Sequence, residues 1–495
     1  MWITISFQVA VNIYHPTWSI LIFTRVSETG IVASMKINNL YEVTISATAF
    51  GGKGVTHVDG MAVFVDQAIP GDTAMIKIVR KKKSYAEARI EKLIYSSPDR
   101  ISPPCPYSGY CGGCKWQFVD YGCQLQYKRR HIIEALEHIG RITNVPVHSP
   151  IASELVWGYR NKIEFTCSGS RWRLPEEPHL PNDDGSDPAF GFHAPGVFHK
   201  VIDINACLLQ PDIGNRILQT IRQQITRSGM PMYSPITHLG FWRFVMLRHS
   251  VAHDQWMVNI ITASENRKTV QPLADMLRES YPEITSVVNN ITSRKAAISA
   301  GEYEICLSGD PEIHDSICGF DFDISANAFF QTNTRGAQAL YRTVKAYAGL
   351  TGTETVFDLY SGAGTIAICL SETARQVVGF EIVDVAVSNA ERNCVKNGIS
   401  NCTFYRGDIK DRLSEISIIP DVMIVDPPRD GMHKTVVQQV LNMGPEKIVY
   451  VSCNPASLAR DLEMMKDAYH ILEIQPVDMF PHTFHIESVA RLQKK

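Results

Sequence analysis

The sequence predicts an α/β protein whose last third is a doubly wound, mostly parallel sheet, preceded by a small β-barrel and an α+β middle region. Three observations predict this. Six short apolar runs (355–359, 376–381, 402–405, 421–425, 447–451 and 470–475) alternate with amphipathic stretches such as 384–397 and 457–466. Near-continuous apolar strands separated by helices mean parallel strands covered on both faces. Residues 41–49, 61–65, 72–79 and 86–93 are rich in β-branched side chains and are separated by Gly51-Gly52-Lys53-Gly54, Asp59-Gly60 and Pro70-Gly71. Strands this short and this close suggest a barrel of the OB-like kind. Finally, 495 residues, 45% of them hydrophobic and 20% charged, make a globular chain too long for one ordinary core.

The chain divides accordingly: an extension over 1–35, the barrel over 36–95, a central α+β region over 96–116 and 150–325, and a C-terminal domain over 117–149 and 326–495. Met1 to Ser34 is apolar in places, but Asn12, His15 and Pro16 interrupt it and its first cation is Arg25. It therefore reads as neither signal peptide nor membrane span. Patterning begins at Lys36, which favours translation from Met35. The proline-rich stretch 98–106 marks a boundary, 124–140 reads as a helix carrying Lys128-Arg129-Arg130, and 175–187 is a polar, proline-rich loop.

A net charge of −3 excludes a wholly cationic surface, so any nucleic acid is held by local patches. Arg80-Lys81-Lys82-Lys83, beside Ser84-Tyr85, falls on a barrel hairpin. By composition alone such a run is more often a solvated turn than a binding site. The twelve cysteines do not form a disulfide framework: Cys306, Cys369, Cys394 and Cys402 lie in apolar or helical surroundings. A reduced, cytoplasmic protein with no membrane association is expected.

The first strand of the parallel sheet ends in Asp358-Leu359-Tyr360-Ser361-Gly362-Ala363-Gly364-Thr365. Paired glycines let the backbone approach a ligand at the strand-to-helix turn of a Rossmann-like domain. Ala367 and Ile368 stand where a dinucleotide fingerprint carries its third glycine, which argues against nicotinamide or flavin. Glu381 closes the second strand, where a carboxylate can accept from both ribose hydroxyls, and Asp408 follows the third, within reach of an adenine amine. Either acid alone reads as a solvated loop residue. Together at consecutive strand ends they point to S-adenosylmethionine.

The fourth strand ends in Asp426-Pro427-Pro428-Arg429 and the fifth in Tyr450-Val451-Ser452-Cys453-Asn454-Pro455, so both converge on the crevice at the carboxyl ends of the strands. A lone cysteine is usually an inert core residue. Cys453 sits instead at a strand end before a helix starting near Ala456, where the helix N-terminus favours its thiolate.

These runs resemble the signatures of the uracil-5 RNA methyltransferases, as do Asp478-Met479-Phe480-Pro481-His482-Thr483-Phe484-His485-Ile486-Glu487 and Phe329-Phe330-Gln331-Thr332-Asn333. Ser457 stands where a threonine is usual. The resemblance covers Lys36 to the C-terminus. It implies that Cys453 adds to carbon 6 of uracil and that Glu487 later removes the proton at carbon 5. It also implies that Gln331, Tyr360, Thr365, Glu381 and Asp408 bind the cofactor, and that Asp426 lines both pockets. A stacked uracil is out of reach of a thiolate, so the base is expected to flip out. Phe329 either receives it or is an ordinary core side chain.

Cys105-x5-Cys111-Gly112-Gly113-Cys114 gathers three thiols on a glycine-permissive loop, a metal-site pattern for which zinc and an iron–sulfur cluster compete. Cys123 and Cys167 stand alone. The spacing resembles the [4Fe–4S] site of the ribosomal-RNA branch of the family, with Cys207 at the position of the fourth ligand. The barrel over 36–95 is similar to the RNA-binding TRAM domain. Barrel and cysteine loop together argue against the transfer-RNA branch and imply 23S ribosomal RNA as partner, with no obligate protein partner. The resemblance also implies that the helix over 124–140 packs back on the catalytic domain. Two other readings compete. A methyltransferase of protein or small-molecule amines needs no thiol at Cys453. An RNA-binding protein with a degenerate catalytic domain predicts loss of Cys453 or Glu487, and both are present. A radical methylase needs an open iron, which four cysteine ligands exclude.

Overall fold

The computed structural model describes residues 35–177, 187–197, 199–296 and 298–495. The extension expected over 1–35 lies outside the described residues except for Met35, and so does most of the polar loop expected over 175–187.

The N-terminal barrel consists of Leu40–Thr44, Ala47–Thr48, Gly54–Val58, Met61–Asp66, Thr73–Lys81 and Tyr85–Tyr95. It closes because Leu40–Thr44 pairs with Thr73–Lys81 while its continuation, Ala47–Thr48, pairs with Gly54–Val58. Alternation along Thr73–Lys81 sends Ala74, Ile76 and Ile78 inward, against Val63 and Val65. The strand Gly54–Val58 is absent from the sequence reading because it opens on the glycine run. Gly54 is needed there for close approach: a Cβ would lie 2.8 Å from Ala68 and 2.9 Å from Ile45. On the basic hairpin, Lys82 and Lys83 are exposed, whereas Lys81 Nζ donates to the carbonyl of Met35 (2.8 Å).

The central region is an eight-stranded sheet covered by the helices Asp212–Arg227 and Arg267–Ser280. Their apolar faces (Ile217, Ile221 and Ile225; Val270, Leu273 and Leu277) share one core with Phe165, Val245 and Trp256 of the sheet.

The C-terminal domain contains the expected doubly wound sheet. Its strands, in chain order, are Thr355–Leu359, Gln376–Glu381, Cys402–Arg406, Val422–Val425, Lys447–Ser452, Tyr469–Val477 and Glu487–Lys494, and their spatial order is 3-2-1-4-5-7-6. The first five are parallel; the seventh runs antiparallel between the fifth and sixth. Sequence patterning does not reveal the seventh strand, because Arg491, Gln493 and Lys494 dilute its apolar character. The helix Tyr121–Ala135, extended by a π-helical turn over Leu136–Gly140, packs Ile132, Ala135 and Leu136 against Leu458 and Leu462, as the resemblance implies. No helix among the described residues is long and apolar enough to cross a membrane.

Candidate active site

The sheet order reverses between the first and fourth strands, and the cofactor loop lies at that switch point. Tyr360 has φ 66°, a left-handed conformation that a bulky residue adopts at a cost of about 1–3 kcal/mol. It turns the chain so that Gly362 and Gly364 follow with φ 54° and 76°. A Cβ on Gly364 would lie 2.8 Å from Ala390 and from Phe404, so packing as well as conformation demands glycine there. Thr365 opens the helix Thr365–Leu370. Glu381 accepts from the backbone N–H of Gly362 (2.9 Å) and of Val383 (2.8 Å), which fixes its carboxylate at the end of the second strand beside the loop. Asp408 caps the helix Ile409–Glu415 and pairs with Lys410 Nζ at 3.0 Å. Burial raises its carboxyl, but the Lys410 ammonium and backbone N–H more than offset this and hold it below the usual range. Gln331 lies in the segment entering the domain. Its carbonyl accepts from Asn161 Nδ2 (2.8 Å) and its side chain hydrogen-bonds Tyr341.

The fifth and seventh strands bring the catalytic candidates together. Their last ladder pair at this end is Ser452 with Ser488, so Cys453 and Glu487, one step further on each antiparallel strand, face each other. Asp426, at the end of the adjacent fourth strand, acts electrostatically on both. Burial pushes the Cys453 thiol up to about 12, aided by Glu487 and Asp426 and opposed by Arg429. The net direction is upward, against the expectation of a favoured thiolate, although Pro455–Met465, which Asn454 caps, follows the cysteine. Glu487 is raised to about 8 by burial and by Asp426, again opposed by Arg429, and burial raises Asp426 to about 6.

Arg429 is the residue that sequence reasoning quoted without assigning a role. Its carbonyl accepts from Asn454 Nδ2 and Ser457 Oγ (both 3.0 Å), which ties the Asp426–Arg429 turn to the segment bearing Cys453. Asp358, which heads the quoted cofactor run, is also left without a role of its own. Fully buried, it accepts from Ala367 N–H (3.2 Å), and its other oxygen lacks a partner among the described residues. Burial first, then Asp426, raises its carboxyl well above the usual range. Phe329 is 73% exposed, which rules out the core reading and leaves its ring accessible.

Cys105, Cys111, Cys114 and Cys207 are free, partly buried thiols. Burial raises all four thiols, and they lie close enough that Cys207 adds to the shift of Cys111 and Cys114, and Cys105 to that of the other three. Among the described residues no three His, Cys, Asp or Glu side chains meet at a point that holds a single ion. Backbone N–H of Gly113 donates to Cys111 Sγ (3.4 Å), and the Gln117 side chain hydrogen-bonds Cys105 and Cys114. Asn215 Oδ1 accepts from the N–H of Cys207 (2.9 Å) and fixes its loop.

An open sheet with this strand order, a glycine turn after its first strand and a carboxylate fixed beside that turn at the end of its second defines an S-adenosylmethionine-dependent methyltransferase. The tRNA (Uracil-5-)-methyltransferase family profile matches residues 313–495, and the TRAM domain profile matches residues 36–90. An RNA methyltransferase of Chlorobaculum tepidum is 41% identical over 92% of this chain and 96% of its own. One from Bacteroides thetaiotaomicron is 40% identical over 89% of this chain and 99% of its own. The Pyrococcus abyssi tRNA (uracil-54, C5)-methyltransferase, solved with S-adenosyl-L-homocysteine, superposes with a TM-score of 0.72 at 29% identity, covering 91% of this chain and 100% of that one. The chain belongs to the RNA uracil-5 methyltransferase family: it transfers a methyl group from S-adenosylmethionine to carbon 5 of a uracil in RNA.

Proposed function

We propose that the substrate is a specific uridine of 23S ribosomal RNA, methylated in the cytoplasm with Cys453 as nucleophile and Glu487 as base. The placement of Cys453 opposite Glu487, both within electrostatic reach of Asp426 and Arg429, carries this reading. S-adenosylmethionine supplies the methyl group on a sulfonium. Gln331, Tyr360, Thr365, Glu381 and Asp408 hold it, and Asp426 borders both cofactor and base. Cys453 gives up its proton to solvent and adds through sulfur to carbon 6, leaving an enolate; Arg429 is the neighbouring cation that favours the ionised thiol. Carbon 5 takes the methyl group. The Glu487 carboxylate then removes the carbon-5 proton, the carbon 5–carbon 6 double bond re-forms, and the thiolate leaves. A base held near 8 suits this step better than His482 or His485, which burial depresses to about 4. The exposed ring of Phe329 is the surface for the flipped base.

Cys105, Cys111, Cys114 and Cys207 would hold a [4Fe–4S] cluster: an all-thiol donor set from two loops, with N–H groups aimed at sulfur, fits one. Bound there, the cluster would join those loops and serve structure or RNA positioning.

The test mixes each variant with adenosylmethionine and a uridine-containing ribosomal RNA fragment, followed by denaturing electrophoresis. Glu487→Gln should accumulate a slow-migrating methylated adduct, and Cys453→Ala should form none. Turnover by Cys453→Ala, or normal turnover by Glu487→Gln without adduct, rejects the assignment. Transfer RNA is the second reading, favoured by the Pyrococcus abyssi neighbour. Mass-spectrometric mapping of 5-methyluridine in ribosomal and transfer RNA from cells with and without the gene decides between them.

A further inference from the structure

The segment that leaves the cysteine loop runs directly into the loop that ends on Glu487. Backbone N–H groups of Lys115 and Trp116, the two residues after Cys114, both donate to the carbonyl of His482 (2.9 and 3.0 Å). The N–H of His482 in turn donates to Gln124 Oε1 (2.8 Å), and Gln124 Nε2 donates to the carbonyls of Trp116 (3.1 Å) and Val119 (2.9 Å). Gln124 is fully buried, so its amide has no water to exchange for these partners. His482 has φ 64° and its ring stacks on Trp157 at 3.7 Å. A left-handed histidine persists only where its surroundings dictate it. Further along the loop, Phe484 meets Phe50 of the barrel edge-on at 5.2 Å, and Trp116 Nε1 donates to the carbonyl of Gly52 (3.1 Å).

None of these groups touches the reacting atoms, yet all converge on residues 482–484, immediately before Glu487. Cys453 depends on none of them: it is held by the fifth strand and the Asn454 cap. We propose that Gln124 is a positioning residue for proton abstraction, holding His482 so that Glu487 reaches carbon 5, and that Phe484 is its second anchor, on the RNA-binding barrel. Proton removal then depends on the seating of barrel and cysteine loop, whereas thiol addition and methyl transfer do not. The proposal rests on Glu487 being the base.

Its signature is a separation of steps that general destabilisation does not give. Gln124→Met keeps length and volume while removing both donor and acceptor. In single turnover it should transfer methyl within about threefold of the wild type, while steady-state turnover falls about tenfold or more and methylated adduct accumulates, because a displaced base forfeits part of the 10²–10⁴ that general base catalysis contributes. Phe484→Leu, which loosens the barrel contact without leaving a buried polar group unpaired, should shift the same way to a smaller extent. Glu487→Gln, run in parallel, is the control. If it accumulates adduct and neither brace variant does, the positioning role is overturned and the base assignment stands. If it accumulates none, the base assignment itself fails, and the positioning role with it. Parallel loss of adduct formation and turnover in both brace variants also overturns the proposal, since that is what a merely structural role predicts.

Discussion

Lys128 Nζ lies 2.7 Å from Asp478 Oδ1, and neither side chain is exposed. The pair joins the N-terminal helix of the catalytic domain to the start of the loop that delivers Glu487, with Tyr121 Oη donating to the same carboxylate (3.0 Å) and Lys128 also donating to the carbonyl of Phe480 (3.1 Å). Removing one member leaves a buried, uncompensated charge, which costs about 3–5 kcal/mol, whereas replacing both with apolar groups costs less. Lys128→Met should therefore lower stability by about that amount in urea unfolding, and Lys128→Met with Asp478→Leu should recover part of the loss. A single variant costing under about 1 kcal/mol would show that the pair is not desolvated as the structure has it.

As the proposed base, Glu487 should set the pH dependence of turnover. Its carboxyl is held up to about 8 by burial and Asp426, so the competent, ionised base becomes populated only as pH rises through that value. Because proton removal follows methyl transfer, kcat rather than kcat/KM should climb across this range; a kcat profile flat from about pH 6 to 9 contradicts the assignment. The same shift has a stability consequence. With the folded pKa above the unfolded one, the folded state retains a proton that the unfolded state has lost, so stability falls as pH rises from the ordinary carboxyl value to about 8. Glu487→Gln carries no such charge. Its melting temperature relative to the wild type should increase over that interval, and a difference independent of pH would refute the burial of the carboxylate.

Arg429 opposes the upward shift of both Cys453 and Glu487. Arg429→Ala removes the neighbouring cation and should slow formation of the covalent RNA adduct about 10- to 100-fold, since each unit of thiol pKa corresponds to about 1.4 kcal/mol. Arg429→Lys keeps a positive charge and should restore part of the rate. Equal losses in both variants would assign Arg429 to shape rather than charge.

Most of the catalytic domain is legible in sequence because its strands are buried on both faces and read as apolar runs; Thr355–Leu359 and Gln376–Glu381 match the expected bounds. What escaped depended on pairing. Gly54–Val58 is a strand because its neighbours in the barrel close on it, and Glu487–Lys494 is one because the fifth and sixth strands leave a gap between them. The opposition of Cys453 and Glu487 follows from that second pairing, so sequence motifs named both residues without placing them together. The raised Cys453 thiol is not legible in sequence for a related reason: a helix N-terminus is visible there, whereas burial beside Asp426 and Glu487 is a property of the assembled crevice.

On the barrel, the structure narrows the basic hairpin. Lys81 is engaged with the Met35 carbonyl, which leaves Lys82 and Lys83 as the exposed cations of that run beside Arg80, itself 3.5 Å from Glu87. Each phosphate contact on single-stranded RNA contributes about 0.7 to the slope of log affinity against log salt. Lys82→Ala with Lys83→Ala should weaken RNA binding and reduce that slope by about 1.4. An unchanged slope means that the hairpin is only solvated.

The cysteine assignment is tested by metal content. Protein prepared without oxygen should be brown and carry about four irons with acid-labile sulfide, bound through Cys105, Cys111, Cys114 and Cys207. Cys207 comes from a different loop than the other three and is fixed from behind by Asn215. Cys207→Ala therefore keeps the three-cysteine loop intact while removing the ligand that would join it to the central sheet, and should lose most of the iron. Full iron retention in Cys207→Ala rejects only this fourth ligand. One zinc without sulfide in the wild type rejects the cluster, and it would also require the four thiols to draw together on one point, which they do not do in this structure.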